Sequence, residues 1–290
     1  MSTPTILITG SEGQLGKSLQ KIAVTYTGFD FVFLSRSSMP LDNADEIKKA
    51  FELYKPQYCI NCAAHTAVDK AESEPQQAML INAEAVGLMA QLCKNYHSKF
   101  IHISTDYVFN GLSSIAYKED DALDPINVYG TTKAKGEELT LLNNPDAIII
   151  RTAWVYSEYG KNFVKTMIQL MEQRDTINVV SDQVGSPTYA HDLAEAIMKM
   201  VEEGCSKPGI FHFSNEGNIS WYAFAVAIKA CIESKCILNP IPSSSYPTPA
   251  KRPSFSLLDT SKIIREYNVI VPYWKDSLEV CIRNYRSAKN

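Results

Sequence analysis

The chain has no apolar run approaching the ~20 residues that a membrane-spanning helix requires, so no bilayer span is expected. It also lacks a dominant charge sign: 28 Lys and Arg against 32 Asp and Glu leave a net charge of −4. No basic stripe interleaved with aromatics marks a nucleic-acid surface, so no nucleic-acid partner is expected. No charged n-region and apolar h-region precede the first strand pattern, which argues against a secretory leader. Seven cysteines, an odd count, fit reduced thiols better than a disulfide framework and point to the cytoplasm. Cys59 and Cys62 form a C-x-x-C, but they lie in and just after a predicted strand, and Cys231 and Cys236 are poorly spaced as partners. His65, His97, His102, His191 and His212 are scattered without zinc-site spacing, so no metal is expected. His102 alternates with apolar neighbours, where it reads as packed or half-exposed rather than as a base.

What is present is an ordinary globular composition, 45% hydrophobic and 21% charged over 290 residues. That length suits one two-lobed unit or two small domains. Thr5-Ile-Leu-Ile-Thr9 is a short β-branched apolar run that reads as a buried strand. It leads into Gly10-Ser-Glu-Gly13-Gln-Leu-Gly16, with Ser11 where the plain fingerprint has its second glycine. Such a turn lets backbone N–H groups approach a pyrophosphate, and a helix from about Leu15, just after Gln14, presents its positive N-terminus to it. Between a strand and a helix, the turn is a dinucleotide-binding signal of Rossmann type.

Strand and helix patterns then alternate: a strand at Phe31–Leu34, a helix at Ala44–Tyr54, a strand at Tyr58–Asn61 and a helix from Pro75 to about Tyr96. A strand at Phe100–Ser104, a helix to about Leu142 and a strand at Ala147–Arg151 follow. This order implies a doubly wound parallel sheet with right-handed crossovers. The second strand ends Leu34-Ser35-Arg36, placing a cation where an NAD-specific site usually has Asp or Glu. Arg36 suits the 2′-phosphate of NADPH, or is an exposed loop charge, with Asp42 and Asn43 at the adenosine end. NADPH is therefore expected to be preferred, with NADH accepted. The small residues of Cys62-Ala-Ala-His-Thr66 let a cofactor pass close to the backbone at Ala63, Ala64 and Thr66.

Ser104 and Thr105 fall at a strand's C-terminal end, the edge where ligands bind in open α/β sheets. Tyr129-Gly-Thr-Thr-Lys133 puts a phenol and an ammonium on one helix face at i and i+4. A fixed cation beside the phenol is expected to pull its pKa from ~10 toward neutrality. Such a phenol exchanges a proton with a carbonyl or alcohol oxygen near pH 7, and Thr105 is placed to bond the same oxygen. The acidic run Glu119-Asp120-Asp121 reads as a solvated loop.

The glycine turn, the hydroxyl of Thr105 and the Tyr-x-x-x-Lys pair resemble an extended short-chain dehydrogenase/reductase. Asn61 to Glu72, Ser104 to Gly111, Arg151 to Tyr156, Asp182 to Thr188 and Lys251 to Pro253 narrow the resemblance to the dTDP-4-dehydrorhamnose reductase family. The resemblance spans nearly the whole chain. It implies NAD(P)H-dependent reduction of the C4 ketone of dTDP-4-dehydro-L-rhamnose, for surface polysaccharide. Tyr129 would be the proton donor, Lys133 would lower its pKa and bind the nicotinamide ribose, and Thr105 would fix the carbonyl oxygen. By the same likeness Asp106, Tyr107, Trp154 and Arg252 would line the sugar-nucleotide pocket, Trp154 being otherwise a packed residue. Ser18 stands where some relatives carry a metal-binding Glu at a dimer contact, so a monomer or weak homodimer is expected. Other relatives reduce different nucleotide-sugars or serve as regulatory subunits of methionine adenosyltransferase.

After Arg151 the pattern shifts. Helices around Asn162–Met171 and Tyr189–Glu203 alternate with strands near Ile177–Val180 and Ile210–Ser214. The expected division is a cofactor domain over 1–155, with a strand returning near 208–216, and a smaller α/β substrate lobe over 156–290. The proline- and serine-rich stretch Pro240 to Pro249 reads as irregular.

Overall fold

The computed structural model describes residues 3–288. Its centre is a six-stranded sheet built from β1 (Thr5–Thr9), β2 (Asp30–Leu34), β3 (Tyr58–Asn61), β4 (Lys99–Thr105), β5 (Ile148–Thr152) and a strand at Gly209–His212. Counted from that last strand the order runs to β5, β4, β3, β1 and β2, and every pairing is parallel. The expected returning strand is thus part of the sheet, beside β5. Strand order reverses between β1 and β3, which opens a crevice at their C-terminal ends.

Alternation along the strands distributes two cores. Ile6 and Ile8 of β1 face one side with α1 (Gln14–Ala23) and the helix Ala190–Glu202. Leu7 faces the other, with Ile47 and Phe51 of α2 (Ala44–Tyr54). Helices covering both faces are what lets all these strands be apolar. Asn43 caps α2 by accepting from the N–H groups of Asp45 and Glu46 at 3.1 and 3.3 Å, a structural task at a helix N-terminus.

The expected helix from Pro75 to Tyr96 is continuous but not uniform. After a short α3 (Val68–Ala71), α4 (Pro75–Met79) passes through a π-helical turn, Leu80–Glu84, into α5 (Ala85–Asn95). The wide turn sends Asn82 inward, where it accepts from His65 N–H at 2.7 Å and donates to the His65 carbonyl and the Thr132 hydroxyl. Thr132 belongs to α6 (Val128–Asn143), so the π turn holds the loop after β3 against that helix. π turns often mark functional sites for this reason.

A third core gathers Tyr156, Ile168, Tyr189, Phe224, Trp274 and Leu278. It is formed by helices Phe163–Gln173, Trp221–Cys231 and Trp274–Ser287 with short strand pairs. One pair corrects the sequence reading: Pro240 and Ile241 complete a strand, Ile237–Ile241, parallel to Thr176–Val180. Proline is tolerated there because this two-stranded sheet leaves an unpaired edge.

Glu119 is a second correction. It turns inward instead of into solvent, accepting from His212 N–H at 3.2 Å, while its carbonyl accepts from Arg151. Arg151 of β5 is buried and pairs with Glu137 of α6 through 2.7, 3.0 and 3.1 Å contacts. Ser104 donates to the same carboxylate. Removing one partner of such a pair strands the other's charge in a dry interior, at a cost of ~3–5 kcal/mol. Glu137→Leu is therefore expected to lower the unfolding free energy measured in urea by that order, with Arg151→Met in the same chain restoring most of it. A loss below ~1 kcal/mol would mean that water or another group satisfies Arg151.

Candidate active site

The sheet crevice opens into a cleft of about 840 Å³, within the range of ligand sites. One end is the glycine turn. Gly10 has φ +65°, and a Cβ there would stand 2.8 Å from Ala63 backbone; at Gly16 it would meet the Gly10 carbonyl at 2.4 Å. Gly16 therefore lies beneath the turn, outside the cleft lining, and lets α1 press against it. Gly10, Gly13, Gln14 and Leu15 line the cleft itself. A cradle this tight fits a pyrophosphate approached by backbone N–H groups at the start of α1.

Gln14 is also tied to the far half of the chain. Its amide oxygen accepts from Ser157 and Asn162 at 3.1 and 2.8 Å, and its nitrogen donates to the Val155 carbonyl. Arg36, mostly exposed at 81%, stands 3.8 Å from Asp42 and two residues past Leu34, whose carbonyl accepts from Ser11 N–H of the glycine turn. Arg36 and Asp42 both line the cleft, as do Ala63, Ala64 and Thr66, whereas Asn43 is spent on its helix cap.

Thr105, Asp106, Tyr107, Tyr129 and Lys133 come together at the C-terminal end of β4, with Trp154 opposite. Thr105 donates to Asp106 at 2.9 Å and accepts from Tyr107 N–H at 3.2 Å. The rings of Tyr107 and Tyr129 meet edge to face at 5.6 Å. Trp154 is held at φ +49° and stacked 3.5 Å over Trp221, which sequence reading did not single out. Arg252 stands apart from the cleft lining, with its guanidinium locked in two bonds to Asp69 at 3.0 and 2.8 Å and a third to the Ala250 carbonyl.

The electrostatics correct one expectation. Lys133 does not turn its ammonium to the phenol; Nζ donates to the Ile103 carbonyl at 2.6 Å and lies 3.1 Å from His102 Nε2. Tyr129 is pushed up to about 12, chiefly by burial, with Asp106 adding and a hydrogen bond with Thr105 opposing. The phenol is thus fully protonated at neutral pH, the form that can give a proton to a developing alkoxide. Burial also pushes Lys133 down to about 8, against the pull of Glu137. Asp106 rises to about 6, again mainly through burial. His102 is fully buried, not half-exposed, and His65 lines the cleft with a buried Nδ1 that finds no hydrogen-bond partner among the described residues.

Residues 4–287 match the family model described as the RmlD substrate binding domain. The chain is 40% identical to the dTDP-4-dehydrorhamnose reductase of Aggregatibacter actinomycetemcomitans, over 94% of this chain and 97% of that protein. It is 38% identical to the spore coat polysaccharide biosynthesis protein SpsK of Bacillus subtilis, over 98% of each. Among solved structures, the dTDP-4-dehydrorhamnose reductase of Bacillus anthracis in complex with NADP superposes with a TM-score of 0.93, at 35% identity, covering 98% of this chain and 100% of that one.

The depressed Lys133 pKa has a consequence for stability. Below about 8 the lysine is charged both folded and unfolded, and the folded state bears the full desolvation cost. Between about 8 and the ordinary lysine value of 10.5 the unfolded chain binds more protons, so this group's contribution becomes more favourable as pH rises. Urea unfolding at pH 7, 8, 9 and 10 should show wild type gaining stability relative to Lys133→Met across that window. A constant difference would mean that Lys133 titrates normally.

Proposed function

This chain belongs to the RmlD substrate binding domain family, that of the dTDP-4-dehydrorhamnose reductases, and on that premise we propose that it uses NADPH to reduce the C4 ketone of dTDP-4-dehydro-L-rhamnose to dTDP-L-rhamnose. The observation that carries this reading is a protonated, buried phenol beside Thr105 at the end of a cleft whose other end is a glycine cradle. NADPH, when bound, supplies the hydride. The chain's own residues align the ketone and protonate it.

Tyr129 gives its proton to the oxygen as charge develops there, and Thr105, its own oxygen held by the Tyr107 N–H, bonds the same oxygen by turning its single hydroxyl proton to it from Asp106. Lys133 holds the nicotinamide ribose. Gly10, Gly13, Gln14 and Leu15 seat the pyrophosphate, and Arg36 meets the 2′-phosphate. Asp106, Tyr107 and Trp154 receive the sugar, with Trp221 stiffening Trp154 from behind. Arg252 joins them only by exchanging Asp69 for the substrate. In this assignment residues 1–155 with the returning strand form the cofactor half, and most of 156–290 the sugar side. Ser18 is buried and donates to the Gln14 carbonyl, offering no carboxylate for a metal-bridged contact. That supports a monomer or weak homodimer, and seven free cysteines suit the reducing cytoplasm.

Purified protein offered NADPH with dTDP-4-dehydro-L-rhamnose, and with GDP- and UDP-linked keto sugars as controls, is expected to oxidise the cofactor rapidly with the dTDP sugar alone. Tyr129→Phe removes only the hydroxyl and should cost ~10²–10⁴-fold in kcat while leaving NADPH binding intact. Near wild-type turnover would reject Tyr129 as donor. Arg36→Ala should raise KM for NADPH more than for NADH, because only the former brings a phosphate to the guanidinium; equal losses would remove Arg36 from that task.

A further inference from the structure

His102 has no task in the reading above, yet it sits at the end of a polar row running under the cleft. Thr9, Asn61 and His102 are neighbours in register across β1, β3 and β4, and all three are buried with Lys133. The Thr9 hydroxyl donates to Asn61 Oδ1 at 2.5 Å, and Ala63 N–H reaches the same oxygen at 3.3 Å. Asn61 Nδ2 lies 3.0 Å from His102 Nδ1, and His102 Nε2 lies 3.1 Å from Lys133 Nζ.

Hydrogen-bond roles along this row are not independent. A neutral imidazole carries one N–H. If Nδ1 accepts from the Asn61 amide, that proton is on Nε2 and points at Lys133. An amine accepts it; an ammonium would set two donors against each other where no water intervenes. The ammonium needs the opposite tautomer, with Nδ1–H donating to an Asn61 amide turned by half a revolution. Turning takes Oδ1 away from the Thr9 hydroxyl, whose oxygen itself accepts from Ala63 N–H at 3.2 Å, so Thr9 favours the amine arrangement.

We propose that His102, oriented by Asn61 and Thr9, is a positioning residue that couples the charge on Lys133 to the direction of the Asn61 amide. The proposal rests on the reading of Lys133 as part of the reductase site. Other groups facing Lys133 are few. Glu137, one turn along α6, favours its charge but is itself neutralised by Arg151 from β5. From β4 the Ile103 carbonyl accepts its proton, while Tyr129 and Asp106 lie on the cleft side. His102 in turn feels Lys133, which with burial keeps the ring neutral. Because Ala63 lines the cleft, the row also reaches the cofactor's seat.

Two measurements test this. The first needs no turnover: ¹⁵N spectra of the free protein, with His102 assigned through His102→Leu, should show its ring passing from the Nδ1–H to the Nε2–H tautomer as pH rises through about 8, where Lys133 titrates. A ring that keeps one tautomer from pH 6 to 10 overturns the proposal. The second is the basic limb of kcat/KM. Asn61→Asp can only accept, holds Nδ1–H and should raise that limb by about one unit, ~tenfold in proton affinity. Thr9→Val, close in volume and safer for folding, frees the amide to turn and should raise it by roughly half a unit, ~threefold. In the His102→Leu background the Thr9→Val shift should vanish; an equal shift there overturns the proposal. Failure to reduce any nucleotide sugar would sink the reductase reading and leave the tautomer result standing.

Discussion

Helix α6 meets the sheet through a column of polar side chains, one per turn, and the site depends on that column. Tyr129, Lys133 and Glu137 are spaced i, i+4 and i+8, so they share one face, and all three are buried. At successive levels they face Thr105, the Ile103 carbonyl with His102, and Ser104 with Arg151. An apolar stripe would bury the helix without fixing its rotation or height. Directional partners at three levels fix both, which is the precision the proposed proton donor needs.

The same column explains why the phenol is not primed as a phenolate. Burying Tyr129 deep enough to exclude water raises its pKa, and the lysine that might oppose this is engaged one level below. For reduction that is the useful state, because the group must hold a proton until the hydride arrives. Depth at this site thus sets the protonation state that Tyr129 brings to the cleft at neutral pH.

Much of this was legible in the chain. The run Thr5–Thr9, the glycine turn and the alternating pattern up to β5 are local signals, carried by residues whose neighbours in sequence are also their neighbours in space. The i, i+4 spacing of Tyr129 and Lys133 placed both on the right face, but not where the ammonium points, which is settled by His102 and a carbonyl on another element. Glu119 looks like a solvated loop charge in sequence; it is half-buried because His212 of the returning strand and Arg151 of β5 draw it in. The helix Trp221–Cys231 reads Trp-Tyr-Ala-Phe-Ala-Val-Ala-Ile-Lys-Ala-Cys, apolar almost all round, so the amphipathic period that announces a surface helix is faint. The π turn within 75–95 leaves no period of its own, since it answers to Asn82 meeting the loop after β3.

The chain crosses between its two halves repeatedly. After supplying Tyr156 to Tyr189 to the third core it returns for Leu193 to Phe213 in the core beneath α1, leaves for Phe224 to Cys236, comes back at Ile263 to Val269, and supplies Trp274 to Ile282 to the third core again. Gln14 then bolts the glycine turn to the loop at 155–162. Neither half corresponds to one continuous stretch of coding sequence. One half therefore cannot be exchanged by splicing in a ready-made domain; change in either has to come through point substitutions and loop replacements that leave the shared crossings in place.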